Sequence, residues 1–575
     1  MTARFSPYRT GVGLLLASVL AAPLLRAQDL KSFEQRITTK VLPNGLTILI
    51  CERPEAPVFS YTTFVDAGDV NDPSGESGLA HMFEHLAFKG TTEIGTNNWA
   101  AEKMALEAVE AAEQAVEAER RSPLGPDKQK LAQLEEAFKK AQTDAEQYVV
   151  PNQFTEVAER NGAEGLNAST GLDETEYYWS MPENRLELWA WLESSRLAET
   201  VPREFYKERD VVLEERRMRT DSNPIGRLLE QFLATAYVAH PYGRSGIGWP
   251  SEVSQITATE AMSFHKKFYA GSNLVVTVVG DVKAAEVMPM LERYFSKIPA
   301  GPKPSLMTTV EPRQFAEKTV FIREQSQPFY IEGYHRGSYK DPDDAVYDAI
   351  GDIMSNGRVS RLYRSLVRDQ QIAAEAEGFS PYPGDKFPGL FAFYAVPLPG
   401  HTPQEMATAI HKEIDKLKTT DVSDEELAMF KTRTRADLLR GLADNQGLFS
   451  GSDRVTYNRE RLLLDARAEV QALIEGGYTA PVPRTEIPAP GLAALATMET
   501  GIFLMGEAGF ASEHDQKVAR WAAYVLAGGR VTAGSRVSEQ YLLDLEREAF
   551  LSLCGERKTQ ERIAHTLKTG KPLRN

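Results

Sequence analysis

Cysteine and basic charge are both scarce in this chain, and each shortage narrows what it can be. Two cysteines among 575 residues, Cys51 and Cys554, cannot build a disulfide framework or a thiolate metal site, and they fall in segments read here as different modules. Lys and Arg total 65 against 81 Asp and Glu, a formal net charge of −16. That balance leaves no basic footprint for nucleic acid or for an anionic membrane surface. No Gly-x-Gly-x-x-Gly follows a strand pattern, which removes a dinucleotide site. What is present, 42% hydrophobic and 25% charged residues, is ordinary for a soluble globular protein of several domains.

The start of the chain reads as a targeting segment. Residues 1–27 carry a basic beginning (Arg4, Arg9), an apolar run from Gly11 to Leu25 and a small residue, Ala27, at a plausible cleavage point. The run is too short for a spanning helix and is interrupted by Gly11, Gly13 and Pro23. A signal peptide, export to the bacterial periplasm or beyond, and a mature chain with no membrane span are therefore expected.

The chemistry concentrates in Gly78 to Phe88, whose apolar spacing and lack of internal Gly or Pro predict a helix. It carries His81-x-x-Glu84-His85. Helical positions i and i+4 sit one above the other, so His81 and His85 can address one metal while Glu84 stands beside them. Two imidazoles and a carboxylate from elsewhere would leave a fourth position of a zinc ion for water, with Glu84 as general base; that chemistry hydrolyses peptide bonds. A helix in which these three residues merely satisfy one another leaves buried charge without a partner. For the carboxylate, the helical stretch Phe205 to Met218 offers Glu208, Glu214 and Glu215. Glu208 and Glu215 are seven apart and share a face with Val211, Val212 and Met218, whereas Glu214 is turned aside. Glu215 is thus the expected third ligand, and Glu208 the hydrogen-bond partner of a ligating histidine. The competing picture is a solvated helix with Arg209 and Arg216 in surface ion pairs.

Around these stretches, Val41 to Ile50 reads as strand, Asn44-Gly45 turn and strand, and Val58 to Val65 and Leu274 to Val279 as further strands. Residues 100–149 read as a helical hairpin with a solvated charged face. Prolines at 299, 302, 304 and 312 mark a linker over 299–312. Beyond it, Phe329 to His335 and Leu390 to Val396 read as strands, and Val346 to Met354 and Ser360 to Arg368 as helices.

The His-x-x-Glu-His order is the inverzincin form. Together with Leu86-Ala87-Phe88-Lys89-Gly90-Thr91, it resembles the active-site segment of the insulinase/pitrilysin peptidases. The resemblance implies an α+β chain of two related sheet-plus-helices domains enclosing a chamber: a catalytic domain over 28–298 and a companion over 313–450. It implies one zinc per chain, with the later of two acids spaced as Glu208 and Glu215 binding it, and 100–149 as an insertion. It further implies that Gly165 to Thr170 is a substrate-binding edge, with Asn167 and Ala168 against an extended peptide, and it is compatible with a homo- or heterodimer containing another peptidase-like subunit. The companion has no His-x-x-Glu-His of its own, and His335, His401 and His411 read as ordinary surface or core residues. The resemblance stops near Leu448, so the companion looks truncated. Residues 451–575 read as a helical tail of different origin, which from Glu460 resembles the C-terminal end of a bacterial 3-hydroxyacyl-CoA dehydrogenase/enoyl-CoA hydratase. Two other functions stay open at this point: a non-catalytic peptidase-like subunit or scaffold, and acyl-CoA-related binding by the tail.

Overall fold

The computed structural model describes residues 36–443, 485–507 and 511–569. The expected signal peptide and the point near Leu448 where the resemblance stops lie outside the described residues. The chain divides into two compact units, residues 28–470 and a second that includes residues 471–575. Among the described residues, no helix is long and apolar enough to cross a membrane.

The larger unit is α+β. Its main sheet joins β1 (Ile37–Val41), β2 (Thr47–Glu52), β3 (Val58–Val65), β4 (Glu164–Thr170), β5 (Thr175–Pro182) and β6 (Leu274–Gly280) in the order β1-β2-β6-β3-β5-β4. The pair β2 and β6 runs parallel and the other neighbours antiparallel. Asn44-Gly45 makes the β1–β2 turn, with Gly45 at φ 92°, a backbone region that glycine enters without steric cost. Strand β3 is buried along nearly its whole length, as a central strand covered on both faces must be. At the other extreme β4 is an edge, and a bulge between Glu164 and Asn167 loosens its pairing with β5.

Helices cover this sheet: α1 (Leu79–Leu86), α2 (Trp99–Arg120), α3 (Lys128–Glu146), α4 (Gln153–Arg160), α5 (Leu186–Glu199), α6 (Phe205–Arg216), α7 (Pro224–Ala236), α8 (Ala258–Phe268) and α9 (Ala284–Phe295). Helix α1 buries Leu79, Met82, Phe83 and Leu86 in the core; at roughly 1.5–3 kcal/mol each, they fix its histidine face relative to the sheet. Phe83 stacks on His265 of α8 at 5.0 Å.

Helices α2 and α3 form the expected hairpin over 100–149, but one face of α2 is not solvated. Glu102 and Glu113 are buried. Glu102 accepts two hydrogen bonds from the Arg203 guanidinium, at 2.5 and 3.0 Å, and Glu113 accepts one from Arg209 at 3.0 Å. Arg203 also donates to the carbonyls of Lys89, Thr91 and Ile94, in the loop that follows α1. A charge pattern counted along one helix cannot show that a second helix supplies buried guanidinium partners.

Residues 299–329 form no helix or strand. The second sheet orders β7 (Tyr330–His335), β8 (Ala373–Tyr382) and β9 (Leu390–Pro397) as β7-β9-β8. It packs with α10 (Asp344–Ser355) and α11 (Pro403–Thr419), and α12 (Asp424–Ala443) follows. The stretch read as helical near Ser360 continues as a π-helical turn over Tyr363–Asp369. A cluster of Val70, Leu233, Tyr237, Tyr242 and Leu390 joins this part to the main sheet's helices, and Asp173 accepts hydrogen bonds from the Tyr242 hydroxyl (2.5 Å) and the Lys386 backbone (3.3 Å).

The smaller unit contains α13 (Gly491–Glu507), α14 (Glu513–Leu526), α15 (Glu539–Cys554) and α16 (Arg557–Thr569), with a two-residue ladder between Ile487–Pro488 and Arg536–Val537. Its core is small, centred on Leu495, Ala523 and Ala527. Leu545 is buried, while Phe550 and Leu551 are exposed. Cys51 and Cys554 are both free thiols.

Candidate metal centre

The site begins with how α1 starts. Gly78, the residue before it, sits at φ 90°, and a side chain there would meet the Ile247 carbonyl at 2.8 Å. Glycine therefore opens the helix, and its unpaired N–H groups need an acceptor from elsewhere. Asp72 supplies it: Oδ2 accepts from Gly78 N at 2.7 Å and Leu79 N at 3.2 Å, and Oδ1 from Ala80 N at 2.9 Å. Burial pushes the Asp72 carboxyl up to about 7 against these three donors. A carboxylate at a helix N-terminus is electrostatically favoured, but a cap six residues upstream escapes a sequence rule that inspects only the preceding residue.

One turn further on, His81 and His85 project from α1, and α6 brings Glu215 to meet them. His81 Nε2 lies 3.5 Å and His85 Nε2 3.4 Å from the same oxygen, Glu215 Oε2. All three ligand atoms lie within 4.8 Å of one another. These separations are long for hydrogen bonds, whose N···O distances cluster at about 2.7–3.2 Å. They match the edges of a tetrahedron around zinc, which at the usual bond lengths are about 3.3–3.4 Å. The donor set of two imidazoles and a carboxylate fits the same ion.

The protonation state of His81 fits as well. Burial drives the His81 imidazole down to about 3, so it is neutral at physiological pH. Burial pulls His85 the same way, but Glu208, Glu215 and Glu84 together hold it above its usual range. His85 Nδ1 faces Glu208 Oε2 at 3.4 Å, which directs Nε2 toward Glu215; this outer carboxylate orients the ring and raises its basicity. Although burial opposes its charge, Glu208 is held below the ordinary carboxylate range by His85 and Lys89, the latter at 2.5 Å. Glu84 is raised by burial, against a hydrogen bond from Thr170 and the field of His85.

Each residue singled out in the sequence can now be located. His81, His85 and Glu215 converge, Glu84 borders a cavity of about 260 Å³ next to His85, and Glu208 stands behind His85. Glu214 points away, exposed and paired with Arg217 at 2.5 and 2.7 Å. The apolar stripe expected on α6 is incomplete: Val212 is buried, but Val211 and Met218 are 45% and 58% exposed. Arg209 and Arg216 are buried rather than on the surface, Arg216 against Glu230 at 2.8 Å. Asn167 and Ala168 lie on the edge strand β4, where Ala168 faces the core and Asn167 is exposed, its amide 3.4 Å from the Tyr178 hydroxyl. His335, His401 and His411 lie outside this cluster, His411 on Glu332 at 2.6 Å. Asp72 and Arg219 were not singled out in the sequence, and Lys89 and Thr170 stood there only within the stretches Leu86 to Thr91 and Gly165 to Thr170.

Residues 47–116 match the family described as insulinase (peptidase family M16), and residues 255–434 match the peptidase M16 inactive domain. The chain is 27% identical over 451 residues to the zinc protease PqqE of Helicobacter pylori, covering 76% of this chain and 87% of that protein. A solved structure of a protease from Helicobacter pylori superposes with a TM-score of 0.61 at 24% identity, covering 76% of this chain and 95% of that one. A separate similarity, 41% over 151 residues, is to a probable 3-hydroxyacyl-CoA dehydrogenase of Bacillus subtilis; it covers 26% of this chain and 18% of that protein. Two family profiles, a similar zinc protease and a similar fold point the same way: apart from its tail, the chain is similar to the insulinase family of peptidases, M16, with residues 47–116 and 255–434 matching its profiles.

Proposed function

We propose that the chain is an exported zinc metalloendopeptidase that hydrolyses extended peptides or unfolded polypeptides, with one zinc held by His81, His85 and Glu215. The observation that carries this reading is the convergence of three ligand atoms at 3.4 and 3.5 Å, spacings suited to a cation and too long for ordinary hydrogen bonds. When bound, zinc would acidify a water molecule and polarise the scissile carbonyl. Glu84 then takes the proton from the attacking water and returns it to the departing amine. Its partial burial keeps its basicity above that of an exposed carboxylate, which suits proton transfer near neutral pH. Glu208 holds the His85 ring in the ligating orientation.

Strand β4 offers the substrate an exposed edge, where an extended peptide can add by main-chain hydrogen bonds alongside Asn167 and Ala168. This mode reads backbone rather than side chains and suits a sequence-tolerant peptidase. A second reading, a peptidase-like subunit without activity, draws on the three-stranded companion sheet and on the description of its matching profile as an inactive domain. Acyl-CoA binding by the tail has behind it only a match that spans 18% of the relative.

Bound zinc and hydrolysis of a quenched fluorescent peptide, measured with and without a chelator, separate the first two readings. Glu84→Gln is expected to keep its zinc and lose roughly 10²–10⁴-fold in turnover, the usual contribution of a general base. Near-wild-type turnover in that variant removes Glu84 from the role, and a zinc-loaded wild type that cleaves no peptide supports the scaffold.

A further inference from the structure

The two oxygens of Glu215 have different neighbours. Oε2 faces both histidines, while Oε1 accepts an ion pair from the Arg219 guanidinium at 2.8 Å. We propose that Arg219 is a positioning residue for the metal ligand: it occupies the outer oxygen of Glu215, so that the carboxylate presents a single oxygen to the cation. This inference rests on the zinc reading above and deepens it.

The backbone around Arg219 is built for the contact. Helix α6 ends at Arg216 and continues as a π-helical turn over Arg217–Asp221. Helix α7 presses on that turn at Gly226, where a side chain would lie 2.2 Å from the Arg219 carbonyl oxygen and 3.0 Å from Thr220 Cα. Glycine is required there for α7 to approach this closely, and the approach fixes the backbone from which Arg219 extends. The two arginines just before it, one at the end of α6 and one in the turn, are engaged elsewhere: Arg216 donates to the Gly248 carbonyl at 2.6 Å and pairs with Glu230, and Arg217 pairs with Glu214. Arg219 alone of the three addresses the metal-facing residues.

The chemical consequence follows from what a carboxylate can do. With both oxygens free, Glu215 could bind a cation through one or both, and two would take up the position that water needs in a catalytic zinc site. A guanidinium on Oε1 makes the one-oxygen mode the stable one. It also offsets the negative charge of Glu84 and Glu215 standing together, and its field reaches both Glu84 and His81. It acts on the reaction through Glu215, as Glu208 acts through His85.

The test uses the full chain stripped of metal, with zinc uptake measured by competition against a chromophoric chelator and the ligand field read from the visible spectrum after loading with Co²⁺. Arg219→Ala is expected to weaken zinc about 10–100-fold, the range typical for partners that orient metal ligands, and to reduce the intense absorption of a four-coordinate cobalt site as the second oxygen binds. Arg219→Lys should recover part of both, because it restores a cation without the planar guanidinium. Arg217→Ala, on the same turn but paired with Glu214, should match the wild type. A zinc-loaded wild type that Arg219→Ala equals in affinity and cobalt spectrum overturns this inference alone. A wild type that takes up no zinc overturns the metal reading, and this inference with it.

Discussion

Glu214 and Glu215 are adjacent in sequence and sit in opposite surroundings. Glu214 lies on the surface in an ion pair with Arg217, while Glu215 meets two imidazoles. Glu215→Gln is therefore expected to lower zinc affinity well beyond 10-fold, since it replaces an anionic ligand by a neutral amide. Glu214→Gln should change affinity by less than about 2-fold, because surface ion pairs contribute little. Isothermal titration of the metal-free proteins with zinc checks both, and the reverse order of effects would move the ligand to Glu214. Helical periodicity anticipated this difference, since a rotation of about 100° per residue separates the two side chains. The same period was open to Arg219, which stands four residues after Glu215 at the spacing where helical side chains meet, but spacing alone did not show that its partner would be a metal-facing carboxylate.

Among the elements, the hairpin of α2 and α3 has the largest effect on how the site is held. Its buried carboxylates Glu102 and Glu113 neutralise Arg203, just ahead of α6, and Arg209, on α6, so the helix carrying Glu208 and Glu215 is braced from behind. Removing one partner of a buried pair leaves an uncompensated charge, at a cost of about 3–5 kcal/mol. Glu113→Ala should lose stability in that range in a urea titration, while Glu107→Ala, on the exposed side of the same helix, should stay within about 0.5 kcal/mol. Equal effects would mean that the hairpin is as solvated as its composition suggests. The sequence identified the two helices and their turn but not this brace, because the paired residues are 101 and 96 positions apart in the chain.

At the scale of the whole molecule, the larger unit folds around histidines that stay uncharged. Burial lowers His265 to about 4, against the hydrogen bond between its Nε2 and the Leu197 carbonyl at 2.8 Å, and lowers His240 to about 4. A depressed histidine favours the folded state above the unfolded value of 6.5, and that contribution is lost as pH falls from 6.5 toward 4, because the unfolded chain takes up the proton first. For His265 alone the loss between pH 7 and pH 5 is about 2 kcal/mol. Asp72, raised by burial to about 7, acts in the opposite sense, contributing at low pH and losing that contribution as pH rises toward 7. The sensitivity is therefore best isolated by a difference: unfolding of His265→Gln, compared with the wild type at pH 7 and pH 5, should show an acid-induced loss smaller by about 2 kcal/mol. An unchanged difference between the two pH values would show that His265 is not buried neutral.

The sequence by itself determined what short-range geometry controls. It placed two histidines one helical turn apart with a glutamate beside them, and two further glutamates seven residues apart on another helix. It also anticipated the strands at Val58 to Val65 and Leu274 to Val279. These depend on covalent geometry and on periods of 3.6 and 2 residues, which any window of the chain displays. Only the tertiary structure decided which side chains complete them. Asp72 caps α1 from outside the helix, Glu102 and Glu113, on a hairpin whose charges read as a solvated face, are buried against Arg203 and Arg209, and Val211 and Met218 face solvent on a helix whose pattern suggested burial. Those outcomes depend on which segments the packed core brings together. Burial then fixes the cost of each charge, and neither the contacts nor the burial can be read from the residues next in line.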